Sequence, residues 1–284
     1  MNALSRARHS FRLAVGIDRG GTWLRLLALD HGRTVARVRA RVSTIPDLTN
    51  FLTRLWRRRG WRRAQVAALV LASRGVWTAA ERRAAARPLR GLALRVTALS
   101  DAQAGLLGAL GDDPRPGLLL IAGTGSIVLG RVAGHWVRAG GLGPLLGDEG
   151  SAFWIGRAWL RRTHPQGHPG LRAIAVAPDA VGRIAARAPA VLARARRGDR
   201  HAGHIVAEAQ SDLAALAVAV ARRLGARAGV QASWSGGVIG DAVFRAGVAR
   251  AMRRAGVRVR WRPPARSTVQ AAARLAADLA RGGR

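Results

Sequence analysis

Two short segments place small and polar residues directly between apolar runs. Residues 118–130 read LLLIAGTGSIVLG, and residues 13–29 read LAVGIDRGGTWLRLLAL. Because glycine has no Cβ, the backbone N–H groups of such turns can approach an anion closely. The carboxylate of Asp18 would repel a phosphate unless a cation lay between them. The two turns therefore predict a site for a magnesium-bound nucleotide, with Asp18 acting through coordinated water.

Two better-known glycine-rich phosphate sites fit the sequence less well. A P-loop needs a lysine after its glycines, and the chain has none. A dinucleotide fingerprint needs a third glycine and a helix, whereas GTGSIV continues into a strand-like run at Val128 and Leu129. Two tight hairpins whose glycines serve only geometry are the plain alternative. The third glycine pair, Gly236-Gly237 after the apolar run from Val230, favours the nucleotide interpretation.

Three acidic residues are candidates for chemistry on a hydroxyl group. Asp101 follows an apolar run and opens a helical stretch, 101–110, where capping the helix would suffice to explain it. A carboxylate placed in this way can also accept a hydroxyl proton as that oxygen bonds to the γ-phosphorus. Asp148 and Glu149 lie side by side in a glycine-flanked loop. They are expected to meet a polyol, with ion pairs to arginine as the alternative.

The elements that must position these residues follow an α/β pattern. Consecutive strands are predicted over 12–42, then a helix over 48–61, buried strands over 66–73 and 93–100, and a helix over 101–110. The strand–turn–strand unit restarts after the turn-rich segment 111–117, which marks a candidate domain boundary. A helix is predicted over 204–225, a strand from Val230 to the Gly-Gly turn, and a helix in the tail. One motif in each half indicates a duplicated fold.

The composition excludes several classes of protein. The formal net charge of the 284 residues is +33, and all 48 basic residues are arginine. These arginines are spread along the chain without tyrosine, which indicates compositional bias rather than specific nucleic-acid binding. Without cysteine, disulfides and thiolate metal sites are excluded. The apolar stretch 213–221 is too short to span a bilayer, and the segment 1–11 does not read as a signal sequence, so a cytoplasmic location is expected.

Five segments occur in the order found in one known family: GIDRGGT (16–22), SDAQAG (100–105), IAGTGS (121–126), GGLGPLLGDEGSAFWIG (140–156) and SGG (235–237). The chain resembles the BadF/BadG/BcrA/BcrD-type ATPases, in their N-acetylglucosamine kinase-like branch. The resemblance implies an α/β fold of duplicated ribonuclease H-like domains, of actin/hexokinase type, with a cleft between them. With the boundary above, residues 1–112 form the domain with the first phosphate loop and Asp101. Residues 113–284 form the domain with the second phosphate loop, the GDEGS loop and the adenosine site.

The same resemblance implies a role for each candidate residue, with ATP and Mg²⁺ as cofactors. Asp101 is then the catalytic base, and Asp18 holds Mg²⁺ through water. The residues expected to bind ATP are Asp18, Gly20, Gly21, Thr22, Gly123, Thr124, Gly125, Ser126, Gly236 and Gly237. The residues expected to bind the acceptor are Ser73, Asp101, Gly141, Asp148 and Glu149.

The absence of cysteine distinguishes the branches of this family. One branch comprises ATPases that energise partner enzymes and ligate an iron–sulfur cluster on cysteines at a dimer interface, which this chain cannot do in that way. The expected activity is therefore that of an ATP-dependent amino-sugar kinase, with N-acetylglucosamine as acceptor. Glucosamine or N-acetylmuramic acid kinases, a partner-activating ATPase and a non-catalytic sensor remain alternatives. The expected partner is a small amino sugar, and the expected assembly is a homodimer without specific nucleic-acid or membrane binding.

Some of the positions expected to contact the sugar acceptor differ from the family pattern. Ile127 stands where the eukaryotic sugar kinases have asparagine after GTGS, the segment 43–48 lacks a second asparagine, and Arg74 follows Ser73 in place of a small residue. An isoleucine in the pocket should accept an N-acyl methyl group better than a charged amine, because burying an unpaired ammonium is costly. N-Acetylglucosamine is thus expected to be preferred over glucosamine.

Overall fold

The computed structural model describes residues 12–111, 113–165, 167–226 and 229–282. These residues form two compact units: those up to 108 and from 266 onward make the first, and those between 109 and 265 make the second. The expectation that the amino-terminal segment is not a signal sequence concerns residues 1–11, which lie outside the described residues.

The described residues form ten strands, twelve α-helices and three single-turn 3-10 helices. The strands are β1 (Leu13–Arg19), β2 (Trp23–Asp30), β3 (Arg33–Arg41), β4 (Val66–Ser73), β5 (Arg95–Ser100), β6 (Gly117–Ala122), β7 (Ser126–Val132), β8 (His135–Gly140), β9 (Gly229–Ser235) and β10 (Arg258–Trp261). The helices are α1 (Leu48–Arg59), α2 (Ala79–Ala86), α3 (Asp101–Leu110), α4 (Gly143–Leu146), α5 (Ala152–Thr163), α6 (Pro169–Ala175), α7 (Ala180–Ala185), α8 (Ala188–Arg196), α9 (Arg200–Arg223), α10 (Gly237–Gly240), α11 (Ala242–Arg254) and α12 (Thr268–Ala280).

The two units repeat one sheet topology. In the first unit the strand order is β3-β2-β1-β4-β5, and in the second it is β8-β7-β6-β9-β10. Each sheet has three consecutive antiparallel strands and then two strands parallel to the first of them. The glycine turns predicted from sequence join the first and second strands of each sheet. The predicted duplication of an α/β unit is therefore confirmed.

The carboxyl-terminal segment corrects the predicted domain boundary. The sequence pattern assigned residues 113–284 to one domain, but α12 belongs to the first unit. This helix packs on β1 so closely that a Cβ built on Gly16 would lie 2.1 Å from the backbone nitrogen of Ala273. Ala14 of β1 and Ala272 of α12 are buried in the same small apolar cluster. Glycine and alanine allow this close approach, which no local pattern in the sequence signals.

The core of the second unit is built around α9. This helix is long and apolar enough to cross a bilayer by length and composition, whereas the apolar stretch 213–221 alone is not. Its residues Ala209, Leu213 and Ala217 are fully buried and lie in one cluster with Leu118 and Leu120 of β6. Packing therefore accounts for its apolar face, and α9 is the central helix of a folded unit.

Candidate active site

The first glycine turn joins β1 to β2 in the first unit. The strand ladder closes at the pair Arg19–Leu24, and the N–H of Gly20 donates to the Trp23 carbonyl over 3.1 Å. Among the described residues, the N–H groups of Gly21 and Thr22 donate to no backbone carbonyl. Two adjacent donors on an exposed turn can therefore bind an anion, as the sequence predicts.

Asp18 lies just before this turn and is 6% exposed. Arg25 of β2 donates from Nη1 to Asp18 Oδ2 over 3.0 Å. Burial raises the pKa of Asp18, the hydrogen bond and charge of Arg25 lower it, and the charge of Asp101 raises it. The carboxylates of Asp18 and Asp101 are therefore close enough for the charge of one to act on the other. Arg25 is a contact that sequence reasoning missed, because only the pairing of β1 with β2 brings it to Asp18.

Three parallel strand ends converge beside the first turn. Arg19 of β1 pairs with Ser73 of β4, and Ser73 pairs with Ser100 of β5. The residues after these ends are therefore neighbours at the carboxyl edge of one sheet, where α/β proteins commonly bind ligands. They include the Gly20–Gly21 turn and Asp101. Ser73 is half-buried at this edge, and its predicted contact with an acceptor stays a prediction.

Asp101 is the first residue of α3, as predicted. Its Oδ1 accepts from the N–H of Ala102 over 2.8 Å, and the same N–H donates to Ser100 Oγ over 3.1 Å. Burial raises the pKa of Asp101, while the Ala102 N–H and the charge of Arg74 lower it. A partly buried carboxylate with a raised pKa is a better proton acceptor than an exposed one. Ser100, not Asp101, caps the helix, because its Oγ accepts from the Ala102 N–H and its own N–H donates to Gln103 Oε1 over 3.2 Å. The capping alternative for Asp101 is therefore wrong.

The second glycine turn joins β6 to β7 in the second unit, and helix α5 forms hydrogen bonds to its carbonyl groups. The first N–H groups of α5, from Ala152 and Phe153, donate to the carbonyls of Gly123 and Thr124 over 2.8 and 3.1 Å. Within the described ranges, the N–H groups of Thr124 and Gly125 donate to no backbone carbonyl. With its carbonyls held by α5, the turn keeps two donors for an anion.

Asp148 supports this second turn directly. Its Oδ1 accepts from the N–H of Ser126 over 3.0 Å, and a Cβ built on Gly125 would lie 2.6 Å from that oxygen. The hydroxyl of Ser126 donates to the carbonyl of Glu149 over 2.7 Å. Asp148 is 6% exposed and has φ +65°, a region that aspartate tolerates better than most residues. The sequence predicted a sugar contact here and missed this supporting bond, while sugar binding by Asp148 and Glu149 stays a prediction.

Gly141 lies against the residue that departs from the family pattern. Its N–H donates to the Ser126 carbonyl over 3.0 Å, and a Cβ built on it would lie 2.8 Å from Ile127 Cδ1. The φ of Gly141 is +73°, so a side chain there would be strained as well as crowded. Ile127 is half-buried and presents an apolar side chain beside this backbone.

The third glycine pair packs on the second turn. Gly236 has φ +104°, and a Cβ on it would lie 2.4 Å from the Ala122 carbonyl oxygen, so only glycine fits. This close approach follows from the parallel pairing of β6 with β9, in which Ile121 lies opposite Ser235. Gly236 thus lies beside the second turn, and the predicted contact of Gly236 and Gly237 with a nucleoside stays a prediction.

A cavity of about 560 Å³ opens between the second turn and this glycine pair. Such a volume suits a small-molecule ligand. It is lined mostly by small and apolar side chains, together with one ion pair: Gly123, Thr124, Ala152, Gly182, Ala185, Ala186, Ala188, Pro189, Leu192, Arg196, Gly237, Val238 and Asp241.

The ion pair of this cavity was not predicted from the sequence. Arg196 Nη1 donates to Asp241 Oδ2 over 2.5 Å, and Asp241 Oδ1 accepts from the N–H groups of Val243 and Phe244 at the start of α11. An Asp at the start of a helix was the only signal available, because the two partners are 45 residues apart.

Comparison with known proteins matches these features to one family. Residues 15–275 match the BadF/BadG/BcrA/BcrD ATPase family. The chain belongs to this family. The match includes both glycine turns, Asp101, the GDEGS loop and the third glycine pair, so the resemblance inferred from the motifs is confirmed.

One relative and several solved structures refine this picture. An N-acetylmuramic acid/N-acetylglucosamine kinase of Clostridium acetobutylicum is 43% identical over 63 residues, which cover 22% of this chain and 20% of that protein. The aligned region therefore spans about a fifth of that relative. A candidate N-acetylglucosamine kinase from Chromobacterium violaceum has a TM-score of 0.68 at 24% identity, with 94% of this chain and 99% of that one covered. A ROK hexokinase from Thermus thermophilus has a TM-score of 0.59 at 20% identity, with 93% and 98% covered. These likenesses confirm the expected actin/hexokinase type of fold.

Proposed function

We propose that this protein is an ATP-dependent amino-sugar kinase that transfers the γ-phosphoryl group of ATP to a sugar hydroxyl. The observation that carries the proposal is Asp101, a partly buried carboxylate at the carboxyl edge of three parallel strands, beside a glycine turn with free N–H donors. An anion-binding turn next to a proton acceptor is the arrangement that phosphoryl transfer to a hydroxyl requires. The kinase named among the relatives supports the same activity.

Asp101 performs the proton transfer in this proposal. As the acceptor oxygen forms its bond to the γ-phosphorus, the bond between that phosphorus and the bridging β-phosphate oxygen breaks. The hydroxyl proton passes to Asp101, and ADP leaves with the bridging oxygen. The hydrogen bond from Ala102 orients the carboxylate, and burial keeps it basic enough to accept the proton. The free N–H groups of Gly21 and Thr22 stabilise charge on the transferred group.

The residues present fit a Mg²⁺ ion held mainly by phosphate and water. Asp18 and Asp101 are two carboxylates within electrostatic reach, and Arg25 occupies only Oδ2 of Asp18. The described residues contain no cluster of three or more metal-ligating side chains. Magnesium at nucleotide sites commonly uses one or two carboxylates with phosphates and water, so the small donor set is sufficient. When bound, the ion would neutralise phosphate charge, with Asp18 as its ligand through water.

The nucleotide half of the proposal rests on the second unit. We assign the cavity beside Gly236 and Gly237 to the adenosine of ATP, because apolar walls suit a base and the adjoining Thr124 and Gly125 turn offers N–H donors. The Arg196–Asp241 pair supplies the charged groups that line this cavity. Asp148 maintains the turn by holding the Ser126 N–H.

We propose N-acetylglucosamine as the preferred acceptor, with N-acetylmuramic acid and glucosamine as the alternatives. Ile127 packs on Gly141 and offers an apolar surface where an N-acyl methyl group can lie. A cationic amine would lose hydration there without gaining a carboxylate partner from isoleucine. A cytoplasmic location and a homodimeric state complete the proposal and remain predictions.

The experiment is ADP release by the purified protein with MgATP and a panel of sugars. We expect acceptor-dependent ADP release with N-acetylglucosamine and a lower kcat/KM with glucosamine. ADP release that is the same with and without sugar would overturn the kinase assignment. A higher kcat/KM for glucosamine would overturn only the acceptor assignment.

A further inference from the structure

Arg74 lies at the point where the proposed phosphoryl transfer takes place. It follows the last residue of β4, and β4 is the middle one of the three parallel strands whose ends converge. Its neighbours at this edge are the Gly20–Gly21 turn, after β1, and Asp101, after β5. The loop turns sharply at Gly75, whose φ of +74° suits glycine. The topology therefore puts an arginine between the anion-binding turn and the proton acceptor.

The side chain of Arg74 turns toward the glycine turn. Its Nη1 lies 2.6 Å from the position that a Cβ on Gly21 would occupy. The guanidinium therefore lies beside the Gly21 backbone, in a turn whose Gly21 and Thr22 N–H groups donate to no backbone carbonyl of the described residues. Arg74 also acts electrostatically on Asp101, so its charge reaches both neighbours.

The charge of Arg74 is available to a ligand. The residue is exposed, and within the described ranges its guanidinium forms no hydrogen bond to a carboxylate. Arg25 provides the contrast on the same sheet, because its Nη1 is bound to Asp18. An arginine beside such a turn adds five N–H donors of its own, and together these donors can bind the three oxygens of a phosphoryl group.

We propose that Arg74 is a catalytic residue that contacts the γ-phosphoryl group during its transfer. The proposal rests on the kinase function proposed above. As the bond to the bridging oxygen breaks and the bond to the acceptor oxygen forms, negative charge is spread over the three equatorial oxygens. The guanidinium stabilises that charge, while Asp101 takes the hydroxyl proton. The backbone N–H groups of Gly21 and Thr22 donate hydrogen bonds to the same equatorial oxygens.

The test compares three variants of the 284-residue chain with MgATP and either N-acetylglucosamine or N-acetylmuramic acid, which carries a carboxylate. Arg74→Gln removes the charge, Arg74→Lys keeps the charge without the planar fork, and Arg58→Gln is the matched control. Arg58 is exposed in the last turn of α1, and the chain enters the amino end of β4 soon after it, so it lies away from the carboxyl edge. Because Arg74 is exposed, its variants are expected to fold, and thermal unfolding checks this.

We expect Arg74→Gln to lower kcat about 10²- to 10³-fold, the scale for losing one group that stabilises transition-state charge. KM for the sugar should change less than about threefold, and Arg74→Lys should recover about a tenth of the wild-type kcat. A binding assay with ADP and aluminium fluoride gives a second readout. The affinity for this mimic of the transferred group should fall in Arg74→Gln, whereas the affinity for ADP alone should not.

Three results would overturn this role. Arg74→Gln with kcat within about threefold of the unaltered protein would remove Arg74 from the chemical step, as would a loss confined to the KM of the sugar. If kcat of Arg74→Gln fell only with an acceptor that carries a carboxylate, Arg74 would bind the acceptor and not the phosphoryl group. If the unaltered protein phosphorylates no sugar, the kinase function fails. An active protein with an unaffected variant refutes the Arg74 role alone.

Discussion

Asp101→Asn tests the proposed base with little disturbance of the fold. Asparagine has nearly the same shape, and its Oδ1 can still accept from the N–H of Ala102. The amide cannot take up the proton of the sugar hydroxyl, so turnover should fall about 10²- to 10⁴-fold. At about 1.36 kcal/mol per decade, the barrier rises by about 2.7–5.4 kcal/mol.

The stability of the same variant separates lost chemistry from lost folding. Burial raises the pKa of Asp101 above its ordinary value, so the folded state binds this proton more tightly than the unfolded state. The free energy of unfolding therefore falls as the pH rises from the ordinary pKa of an aspartate through the raised pKa of Asp101. Asparagine carries no such penalty, so Asp101→Asn should unfold at the same temperature as the unaltered protein or a higher one.

The assay is steady-state ADP release together with calorimetric titration of ATP. ATP affinity should be nearly unchanged, because the proposed adenosine cavity belongs to the second unit. Asp47→Asn is the matched control, since Asp47 caps α1 in the first unit through the N–H of Asn50 and asparagine caps helices equally well. Turnover of Asp101→Asn within about threefold of the unaltered protein would refute the reasoning.

Three further predictions follow from the same geometry. Gly125→Ala should push its Cβ against Asp148 Oδ1 and break a charge-assisted hydrogen bond of about 1.5–3 kcal/mol, so ATP affinity should fall about 10- to 100-fold in calorimetric titration. Gly16→Ala should lower the free energy of unfolding by about 1–3 kcal/mol in urea titrations, because the new Cβ meets the backbone of Ala273. The pH profile of kcat/KM should have an acidic limb above the ordinary pKa of an aspartate, because burial raises the pKa of Asp101 and the protonated form is inactive.

The two glycine substitutions have matched controls in the same chain. Gly203→Ala, in α9, and Gly91→Ala, after α2, both add a Cβ that meets no atom within 4 Å. Neither should change ATP affinity or lower stability. Unchanged ATP affinity in Gly125→Ala or unchanged stability in Gly16→Ala would contradict the packing argument, and an acidic limb at or below the ordinary aspartate value would contradict the burial argument.

Local patterns predicted the elements that carry the candidate site. The apolar run before Gly20 and the run before Gly123 became β1 and β6, and the helix predicted over 101–110 is α3 with the same bounds. These predictions succeeded because apolar strand runs, glycine turns and polar helix starts are encoded within a few residues. The predicted helix start at 204 was four residues late, since Asp199 caps α9 through the N–H of Ala202.

Contacts between distant residues could not be predicted in this way. The packing of α12 on Gly16, the bond from Asp148 to Ser126 and the Arg196–Asp241 pair each join segments that only the folded sheets bring together. Trp56 shows the same limit, because the helix predicted over 48–61 gives no sign that its indole donates to the carbonyl of Leu92, which is 36 residues away. These contacts form only when the chain folds, so no local sequence pattern could predict them.

The most direct measurement of the central claim is ³¹P NMR of the purified protein with MgATP and N-acetylglucosamine. The proposed function predicts a new phosphomonoester resonance that grows in step with ADP and is absent without sugar. Inorganic phosphate as the sole product, or ATP that stays unchanged with every amino sugar, would contradict the assignment.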